Sequence, residues 1–484
     1  MNYMEDLIII GGGVCGCSLL YELSRYKISA LLLEKENDLA CGTTKANSGI
    51  VHAGYDPEPG TAMARFNVEG NVLIEKLSED LDIQYKKTGS LVVGFDETDR
   101  ESIEKLLEKG RANNVPGLRI ISGEELFNLE PNLNREVVCA LYAPSAGIVA
   151  PWELAFAQAE CAVQGGAKVE LDCEVKSIKK EGDFFTVATN KGDYTARYVV
   201  NAAGVNSDLV SQMVEPKHFS ITPKSGEYFI LDTTEINLVN TVVFPCPSIL
   251  GKGVLVSPTV HGNIIVGPDS KNCERENFAT TAAGLEYVQK NALRCIPSVN
   301  FKTSIQNFSG IRADAGLEDF IVGESKEAPG FFNMAGIKSP GLTSSPSIAK
   351  EIVRQLQSKG LSAEPNPNFV AKRRLIRFKH LSDEEKSRLI RENPLYGAIV
   401  CRCQTVTEGE IEDAFKRPIP PRSIDAMKRR CGPGMGRCQG GFCSPKVLAL
   451  IAKHFNIRPE DVTKEKNGMF IVTGETKRER NHAH

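Results

Sequence analysis

The stretch DLIIIGGGVCGCSLLYEL, residues 6–23, holds the pattern that decides the fold. It opens with a short apolar run that is typical of a buried strand. Gly11, Gly13 and Gly16 follow and match G-x-G-x-x-G, and the apolar positions from Val14 onward have helical periodicity. In this pattern the glycines permit a tight turn, the close approach of a pyrophosphate and close packing of the helix on the strand. The N–H groups at the start of such a helix can bind the phosphates.

The segment ISALLLE, Ile28–Glu34, predicts the next buried strand and ends on an acid. A lone glycine pattern is weak evidence, but strand, glycine turn, helix, strand and acid in this order are typical of a dinucleotide-binding unit. The Glu34 carboxylate is placed to accept hydrogen bonds from a ribose diol and would repel a 2′-phosphate. We therefore predict FAD or NAD rather than NADP.

The composition limits the remaining classes. A chain of 484 residues is too long for one compact core, which predicts about three units. The net charge of -3 argues against nucleic acid as the main partner, and no apolar run reaches the length of a membrane span. The N-terminus MNYMEDLIII has no basic region before its apolar run. We therefore expect no signal peptide and a cytoplasmic protein.

Most of the 14 cysteines are scattered singly in apolar or helical stretches, as at Cys139, Cys161, Cys173 and Cys295. In a reducing compartment such residues are usually small core hydrophobes, and we predict that role for them. Only the C-terminal group is clustered in a way that indicates chemistry.

Three further segments favour FAD over NAD. Residues 35–61 are denser in Gly, Ser, Thr and Asn than an NAD domain needs. ARYVVNAAGVNSD, residues 196–208, places a buried strand before a small-residue turn. FFNMAGIKSPGLTSSPSIAKEIV, residues 331–353, adds a strand, a glycine turn and a helix. Separated elements that converge on one nucleotide suit a large cofactor with two parts, so we predict FAD.

Four motifs in these regions carry a family resemblance: NSGIVHAG (Asn47–Gly54), KSGEYF (Lys224–Phe229), SGIRAD (Ser309–Asp314) and GIKSPGLTSSP (Gly336–Pro346). With them, roughly residues 5–365 resemble the D-amino-acid-oxidase superfamily, most closely its branch of L-2-hydroxyglutarate oxidases and FAD-dependent glycerol-3-phosphate dehydrogenases. The resemblance implies an α/β plus α+β fold. Its core would be a glutathione-reductase-type FAD-binding fold with an inserted antiparallel substrate sheet.

The resemblance also implies the residues that hold FAD. Those expected at the adenosine diphosphate half are Gly11, Gly13, Gly16 and Glu34. Those expected along the pyrophosphate and isoalloxazine are Thr43, Thr44, Asn47, Ser48 and Gly49. Val175 and Gly204 would flank the adenine and ribose. Those expected to reach the flavin from the third segment are Gly336, Gly341, Leu342 and Thr343.

The substrate sheet has its own sequence signal. Four short strand patterns bounded by Gly, Pro and Asp are SLVVGF (90–95), EYFILD (227–232), GVLVSP (253–258) and NIIVGP (263–268), with a hairpin turn predicted at 261–263. We expect FAD-binding segments at about 1–85, 145–215 and 305–365, and substrate segments at about 86–144 and 216–304.

Flavin oxidation of an alcohol or amine requires an anchor for the substrate's anion and a base for the departing proton. Arg312, in SGIRAD, matches the family position that meets the acidic group, and a guanidinium suits carboxylate or phosphate. The alternative is that Arg312 merely pairs with the nearby Asp314.

Two histidines are candidates for the base. The resemblance places His52 beside the flavin, and His261 lies at a turn of the substrate sheet. Either could instead be a buried structural histidine. A covalent bond between His52 and flavin is chemically feasible, but nothing in the sequence requires it. Lys224, Tyr228 and Lys338 are weaker candidates, because a strand tyrosine usually packs and a lysine is usually solvated.

The C-terminal part begins after Pro365 and Pro367 with a charged linker, predicted at 366–395. Paired cysteines follow as C-x-C and C-x4-C with 34 intervening residues: Cys401, Cys403, Cys438 and Cys443. Four thiolates can bind zinc or an iron–sulfur cluster, and C-x-C is shorter than typical zinc spacings. The glycine-rich stretch CGPGMGRCQGGFC, residues 431–443, predicts a loop rather than a helix or strand, and it suits close backbone approach to a bulky cluster.

Residues 396–455 closely resemble a bacterioferritin-associated-ferredoxin type [2Fe–2S] domain, a small helical module. The same domain is fused to the large subunit of anaerobic glycerol-3-phosphate dehydrogenases. The resemblance implies that the four paired cysteines are its ligands and that 456–484 form a tail. Cys431 is then surplus, and we predict that it packs as a small apolar residue, a spare ligand or redox sensor being the alternative.

Together these features predict a cytoplasmic FAD-dependent dehydrogenase that oxidises sn-glycerol 3-phosphate to dihydroxyacetone phosphate. Its electrons would pass through the [2Fe–2S] cluster to an electron-accepting partner protein. One alternative is an L-2-hydroxy acid substrate resembling 2-hydroxyglutarate. Another is an electron-transfer relay subunit with no substrate of its own. No nucleic acid partner and no direct membrane span are expected.

Overall fold

The computed structural model describes residues 4–247 and 253–474. The chain divides into two units. The larger contains the residues up to Lys35 and Leu39–Arg374, and the smaller contains Glu36–Asp38 and the residues from Leu375 onward. Within the described ranges, no helix is both long and apolar enough to cross a membrane.

The first sheet of the larger unit is built around the predicted nucleotide motif. Glu5–Ile10 lies between Ala30–Leu33 and Gly192–Asn201 and pairs with both in parallel. Every side chain of this central strand except that of Asp6 is buried, which explains its apolar run over residues 7–10. The other strands of the sheet are Lys168–Glu170, Val175–Glu181, Phe184–Thr189, Ile321–Glu324 and Phe331–Ala335.

The glycine turn leads into the helix Val14–Leu23, as predicted. This helix packs against Pro151–Gln164 and Gly341–Ser358, and the latter also packs against Ala62–Asp80. A short helix, Ser207–Ser211, follows the strand Gly192–Asn201. The predicted alternation of strand, glycine turn and helix is therefore confirmed at the first and third segments.

Among the described residues, the second sheet has nine strands and contains the four predicted strand patterns. Its strands are Ser90–Gly94, Arg119–Ile121, Cys139–Ala143, Thr222–Leu231, Val242–Pro245, Leu255–Pro258, Ile264–Gly267, Lys271–Asn272 and Ser304–Asp314. Its pairings are antiparallel, as predicted, except that Ser90–Gly94 and Val242–Pro245 run parallel. The predicted hairpin turn is also confirmed, because Thr259 and Asn263 close it by a backbone hydrogen bond.

The second sheet is covered on both faces by apolar side chains. Leu91 and Val93 belong to one core cluster, whereas Val92 between them belongs to the other, as strand alternation requires. The helices of this region are Glu97–Ala112, Gly123–Leu129 and Ala282–Cys295. A separate three-stranded sheet contains Ile50–Val51, Tyr85–Lys86 and Gly147–Val149.

The strand Ser304–Asp314 crosses the predicted boundary at 305. It pairs along almost the whole length of Thr222–Leu231, so it belongs to the second sheet. The chain returns to the first sheet only at Ile321–Glu324. The SGIRAD motif, expected in an FAD-binding segment, therefore lies on a strand of the second sheet.

The smaller unit is mainly helical, with Asp383–Glu392, Glu408–Phe415, Ile424–Cys431 and Ser444–Phe455, and one hairpin of Ile399–Cys401 with Val406–Thr407. Thr407 caps Glu408–Phe415 and Glu410 completes the capping box. Val462, from the predicted tail, is fully buried in the core of this unit. Residues 475–484 of that tail lie outside the described residues.

Candidate functional site

The glycine turn after the first strand has no room for side chains at Gly11 and Gly16. Gly11 has φ +109, and a Cβ there would lie 2.5 Å from the carbonyl oxygen of Ala202. A Cβ on Gly16 would collide with the Gly11 carbonyl oxygen. Beyond the turn, Val14 donates its backbone N–H to the Thr44 hydroxyl at 3.0 Å. The turn and helix start thus form the bare backbone cradle that a pyrophosphate requires.

Glu34 lies beside this cradle. Its carboxylate accepts the Gly12 backbone N–H at 2.6 Å, and the residue is 9% exposed. A Cβ on Gly13 would lie 3.4 Å from the Thr44 hydroxyl, an ordinary contact distance. These residues fit an adenosine diphosphate group, with Glu34 at the end of the second strand where a ribose would lie.

The two residues expected at the adenine and ribose lie on the same sheet. Val175 begins Val175–Glu181 and packs on the apolar cluster that includes Ile8. Gly204 stands in the turn after Gly192–Asn201, and a Cβ there would meet open space. Because the ends of neighbouring parallel strands lie at one edge, Gly204 is at the same edge as the glycine turn.

Asn47 organises the turn expected beside the flavin. Its side-chain amide donates to the carbonyl oxygens of Thr43 and Thr44, and its Oδ1 accepts the Gly49 N–H at 2.8 Å. The Thr43 hydroxyl donates to the Ile311 carbonyl oxygen at 2.6 Å. A Cβ on Gly310 would overlap the carbonyl oxygen of the neighbouring turn residue Ala46. This turn is therefore held against the strand that carries Arg312.

The third segment meets the first at Thr343. Its hydroxyl accepts the backbone N–H of His52 at 2.9 Å and donates to the Ile50 carbonyl oxygen at 3.3 Å. Gly336, Gly341 and Leu342 precede it, and Gly341 begins the helix Gly341–Ser358. The predicted first and third FAD segments are thus in direct contact.

His52 is fixed at both its backbone and its ring. Asn67 and Asn71 donate to its carbonyl oxygen at 2.8 and 3.1 Å. The Ser339 hydroxyl lies 3.3 Å from Nε2, and the ring stacks on Phe244. Ser339 is a site residue that the sequence analysis missed, although it stands inside the quoted GIKSPGLTSSP motif.

Arg312 does not pair with Asp314. Its guanidinium donates to the carbonyl oxygens of Ser225 and Asp269 and to the Ser270 hydroxyl, at 3.2–3.5 Å. Within the described residues, no carboxylate lies within 4.0 Å of this guanidinium. Its positive charge therefore remains available to an anion.

Asp314 has two other cationic partners. Lys224 and Lys338 lie 2.6 and 2.9 Å from its carboxylate oxygens. Burial alone raises the pKa of Asp314, but the hydrogen bonds from the two lysines hold it well below its usual range. The alternative reading of Arg312 as the partner of Asp314 is therefore wrong.

Tyr228 connects the anchor to the flavin-side turn. Its hydroxyl is hydrogen-bonded to Arg312 and Ser48, and burial raises its pKa. Its ring stacks on Phe308, with ring centroids 4.8 Å apart. The second histidine, His261, is half-buried in its hairpin turn, where it stacks on Trp152. The structure thus joins Arg312 to Ser48 and places His52 against Phe244 and Ser339.

The four paired cysteines come together in the smaller unit. The Sγ atoms of Cys401 and Cys403 are 3.8 Å apart, those of Cys403 and Cys438 are 4.0 Å apart, and Cys401 is hydrogen-bonded to Cys443. Two thiolates on one tetrahedral metal ion, at about 2.3 Å each, are separated by about 3.8 Å.

The four sulfurs form a continuous set of contacts, from Cys443 through Cys401 and Cys403 to Cys438. Four cysteine thiolates are also the ligand set of a [2Fe–2S] cluster. A Cβ on Gly436 would strike the sulfur of Cys403, so the loop needs this glycine.

Backbone N–H groups favour thiolates at this site. The hydrogen bond with Cys443, together with the N–H groups of Gly434 and Gln404, lowers the pKa of Cys401 to about 5 against the opposing effect of burial. The N–H of Phe442 likewise lowers the pKa of Cys438. Such donors stabilise the negative charge of an iron–sulfur cluster.

Cys431 takes no part in this chain of contacts. It is the last residue of the helix Ile424–Cys431, not a loop residue as the glycine-rich stretch suggested. Its sulfur lies 3.5 Å from that of Met427, and burial raises its pKa to about 12. The predicted role as a small apolar residue is confirmed. Cys139, Cys161, Cys173 and Cys295 are also buried, as predicted.

These features define a flavoprotein oxidoreductase with an iron–sulfur domain. The chain belongs to the FAD dependent oxidoreductase family, whose model matches residues 6–355. The BFD-like [2Fe-2S] binding domain matches residues 399–453. The cofactors of the chain are therefore FAD and a [2Fe–2S] cluster.

Relatives match either nearly the whole chain or about three quarters of it. A glycerol 3-phosphate dehydrogenase from Caloramator mitchellensis is 43% identical over 98% of this chain and 100% of its own length. A glycerol 3-phosphate oxidase from Mycoplasma pneumoniae is 34% identical over 75% of this chain and 97% of its own. An Escherichia coli L-2-hydroxyglutarate dehydrogenase is 27% identical over 75% and 96%, respectively.

A solved structure agrees with the larger unit. L-alpha-glycerophosphate oxidase from Mycoplasma pneumoniae, with FAD bound, superposes with a TM-score of 0.73 and is 32% identical. The match covers 77% of this chain and 99% of that one. The predicted FAD-binding fold is therefore confirmed.

Proposed function

We propose that this chain is a dehydrogenase that oxidises sn-glycerol 3-phosphate to dihydroxyacetone phosphate and delivers the electrons through its [2Fe–2S] cluster to a partner protein. The observation that carries the proposal is the likeness to a glycerol 3-phosphate dehydrogenase over both units, from end to end of that relative. All 14 cysteines are free thiols in the structure. Free thiols are usual in proteins of the reducing cytoplasm, which we propose as the location of this chain.

Arg312 is the proposed anchor for the phosphate. A guanidinium whose partners are neutral oxygens can offer two N–H groups to a phosphate without first breaking an ion pair. Tyr228 supports the choice, because its hydroxyl connects Arg312 to Ser48 in the flavin-side turn. The anchor would therefore hold the substrate at the flavin end of the site.

His52 is the proposed base. Oxidation of the alcohol removes a proton from the hydroxyl oxygen and a hydride from the carbon, and bound FAD supplies the hydride acceptor. A ring nitrogen of His52 would take the proton, and the Ser339 hydroxyl, 3.3 Å from Nε2, would hold the ring in its orientation. His261 is the second candidate, supported by its place at the turn of the substrate sheet.

The residues proposed for FAD follow the cradle. Gly11, Gly13, Gly16 and Glu34 would hold the adenosine diphosphate half, and Val175 and Gly204 would flank the adenine and ribose. The residues proposed at the pyrophosphate and flavin are Thr43, Thr44, Asn47, Ser48, Gly49, Gly336, Gly341, Leu342 and Thr343. Cys401, Cys403, Cys438 and Cys443 are the proposed cluster ligands.

An L-2-hydroxy acid is the second candidate substrate, because relatives with that activity match most of the larger unit. Anaerobic titration of the holoenzyme separates the two. We expect glycerol 3-phosphate to bleach the flavin absorbance, and L-2-hydroxyglutarate to leave it unchanged at the same concentration. Bleaching by L-2-hydroxyglutarate alone would contradict the proposed substrate, and bleaching by neither would favour the relay alternative.

Replacement of the anchor tests its role directly. Arg312→Ala should lower the rate of flavin bleaching by glycerol 3-phosphate roughly a hundredfold or more, since a charge-assisted bidentate contact is lost. FAD content should stay at the level of the parent protein. Arg111→Ala, at an exposed arginine of the helix Glu97–Ala112, is the matched control and should leave the rate unchanged. An unchanged rate in Arg312→Ala would remove this residue from the site.

A further inference from the structure

The four cysteines of the proposed cluster site differ in exposure. Cys401 and Cys443 are each 1% exposed, whereas Cys403 lies at the surface. A cluster held by these residues would therefore be nearest to solvent on the Cys403 side. An electron that leaves the cluster for another protein has the shortest path on that side.

Phe442 stands in the same loop region with its ring in solvent. At 74% exposure it is the most exposed large hydrophobic side chain of the described residues. It lies directly before Cys443, and its own backbone N–H donates to the Cys438 sulfur. The position of this ring is thus coupled to the ligand loop. An aromatic side chain held out in this way is typical of the centre of a protein interface.

The segments that carry the cysteine ligands and Phe442 also carry exposed basic residues. The exposed residues of the two ligand-bearing segments include Arg402, Arg437 and Lys446. Residues 401–407 and 432–447 contain no Asp or Glu, although the whole chain has 61 acidic and only 58 basic residues. The surface formed by Phe442 and these three basic residues, here called the Phe442 surface, is therefore a local basic patch with an apolar centre on an acidic protein.

We infer that the Phe442 surface docks an acidic electron-carrier protein, whose carboxylates meet the basic residues while an apolar spot on its surface covers Phe442. This inference rests on the proposed function in one respect, namely that electrons leave through the cluster. Complementary charge increases the rate of encounter and fixes orientation more than it increases affinity. Weak electron-transfer complexes bury a small interface area. A single exposed aromatic residue with basic residues on the same segments is large enough for such an interface.

The charge pattern argues against a second copy of the chain as the occupant. In a two-fold symmetric contact the same patch faces itself, so the basic residues of one copy would face those of the other. Like charges brought together in this way oppose association. An acidic partner gains from the same residues.

Two haem proteins of opposite charge provide the probes. Soluble cytochrome b5 is acidic and cytochrome c is basic, and the reduction of each is followed by its own absorbance. With glycerol 3-phosphate as reductant, we expect the holoenzyme to reduce cytochrome b5 with a rate constant that falls about tenfold between low and high salt. The rate for cytochrome c should be unchanged or should rise as salt screens repulsion.

Variants with matched controls assign the effect to this surface. Lys446→Glu should lower the rate with cytochrome b5 about tenfold at low salt, whereas Lys453→Glu, at an exposed lysine of the same helix, should have little effect. Phe442→Ser should lower the rate at both salt concentrations, because it removes the apolar centre. Ile457→Ser, at another exposed apolar residue of the unit, is its control.

Flavin bleaching and cluster absorbance are recorded for every variant. Bleaching intact in all variants, with slower reduction of cytochrome b5 in Lys446→Glu and Phe442→Ser alone, supports the inference. Equal rates in these variants and their controls would overturn it, as would faster reduction of cytochrome c than of cytochrome b5 at low salt. A dimer lost on Phe442→Ser would instead identify a second copy as the occupant. Absence of bleaching in the parent protein would refute the proposed function and is thereby distinguished from these results.

Discussion

At the scale of single residues, His52 is the most strongly positioned candidate for catalysis. Its backbone is held by Thr343, Asn67 and Asn71, and its ring nitrogen meets Ser339. The contact with Ser339 and the stacking on Phe244 restrict the ring itself, so it has little freedom to lose when the substrate binds. The second candidate, His261, stacks on Trp152 in its hairpin turn.

Replacement of His52 by Asn should slow flavin reduction by glycerol 3-phosphate roughly a hundredfold to ten-thousandfold, the contribution of a general base. FAD should remain bound, because the backbone contacts of this residue do not depend on the imidazole. Stopped-flow bleaching under anaerobic conditions measures the rate. His261→Asn serves as the comparison, and a larger loss there than at His52 would reverse the assignment.

Asp314 gives a pH-dependent prediction. Its pKa is lowered by Lys224 and Lys338, so the folded protein gains stability from the ionised carboxylate. That contribution is fully present above the unfolded value, about 3.9, and is lost as pH falls towards the folded value. Asp314→Asn should therefore lower the unfolding temperature at pH 7, and its difference from the parent protein should shrink below about pH 4.

The temperature of flavin release, followed by FAD fluorescence, measures this effect. Asp183→Asn, in an exposed turn, is the matched control. A difference between Asp314→Asn and the parent that stays constant down to pH 3 would contradict the role of the two lysines.

Sequence patterns pointed to candidate site residues, but they did not predict which other residues those side chains contact. Arg312 and His52 stand in short motifs that can be read directly. Whether Arg312 pairs with Asp314 depends on the contacts that each side chain makes in the folded protein. The two lysines that form ion pairs with Asp314 come from distant segments of the chain. Ser339 meets His52 across 287 residues, so no local spacing could have indicated that contact.

At the scale of secondary structure elements, the strand Ser304–Asp314 joins the two halves of the larger unit. It pairs with Thr222–Leu231 in the second sheet and also receives the flavin-side turn, where Gly310 lies against the carbonyl oxygen of Ala46. The absence of a side chain at Gly310 allows this approach. The turn expected at the isoalloxazine is therefore positioned by the substrate sheet.

Gly310→Ala should displace the flavin-side turn, because the added Cβ would overlap backbone that cannot move aside cheaply. We expect less bound FAD after purification and an unfolding temperature several degrees lower. Gly42→Ala, where a Cβ would meet nothing within 4 Å, is the control and should retain full FAD content. Absorbance and thermal unfolding provide both readouts, and equal behaviour of the two variants would contradict the proposed packing.

Sequence patterns predicted several strands of each sheet, but they did not locate the change from one sheet to the other. The strand at 304–314 has the same local pattern whichever sheet it joins, and only its partner Thr222–Leu231 decides. Cys431 shows the same limit. The glycines after it suggested a loop, whereas the preceding residues, with Ser423 as the N-cap, continue a helix up to that cysteine.

At the scale of the whole molecule, one short segment near the N-terminus belongs to the smaller unit, although the residues on either side of it in the sequence belong to the larger. Glu36–Asp38 is part of the smaller unit, although Lys35 and Leu39 on either side belong to the larger. Asp38 is 1% exposed and forms ion pairs with Arg429 and Arg430. Burial alone raises the pKa of Asp38, but the two arginines hold it below its usual range.

Asp38→Ala should destabilise the smaller unit strongly, by about 3–5 kcal/mol, because it leaves buried arginine charge uncompensated. Loss of the [2Fe–2S] absorbance at a lower temperature or lower denaturant concentration measures the effect. Asp413→Ala, at a half-exposed acid of the same unit, is the comparison. Equal cluster stability in the two variants would show that the Asp38 ion pairs contribute little.

The division into a flavin unit and an iron–sulfur unit was predictable, because each carries a specific motif. The membership of Glu36–Asp38 was not, since charged residues after a nucleotide-binding strand are usually solvated. The burial of Val462 was not predictable either, because the predicted tail is polar and a single apolar residue does not make a periodic pattern. Both features depend on tertiary contacts that the local sequence does not record.

The most direct test of the account is whether electrons from the substrate reach the cluster. The holoenzyme is mixed anaerobically with glycerol 3-phosphate, and flavin absorbance and the electron paramagnetic resonance of the reduced cluster are recorded on the same sample. We predict that the flavin bleaches and that the reduced [2Fe–2S] signal appears. A bleached flavin beside a cluster that stays oxidised, yet is reduced by dithionite, would contradict the account.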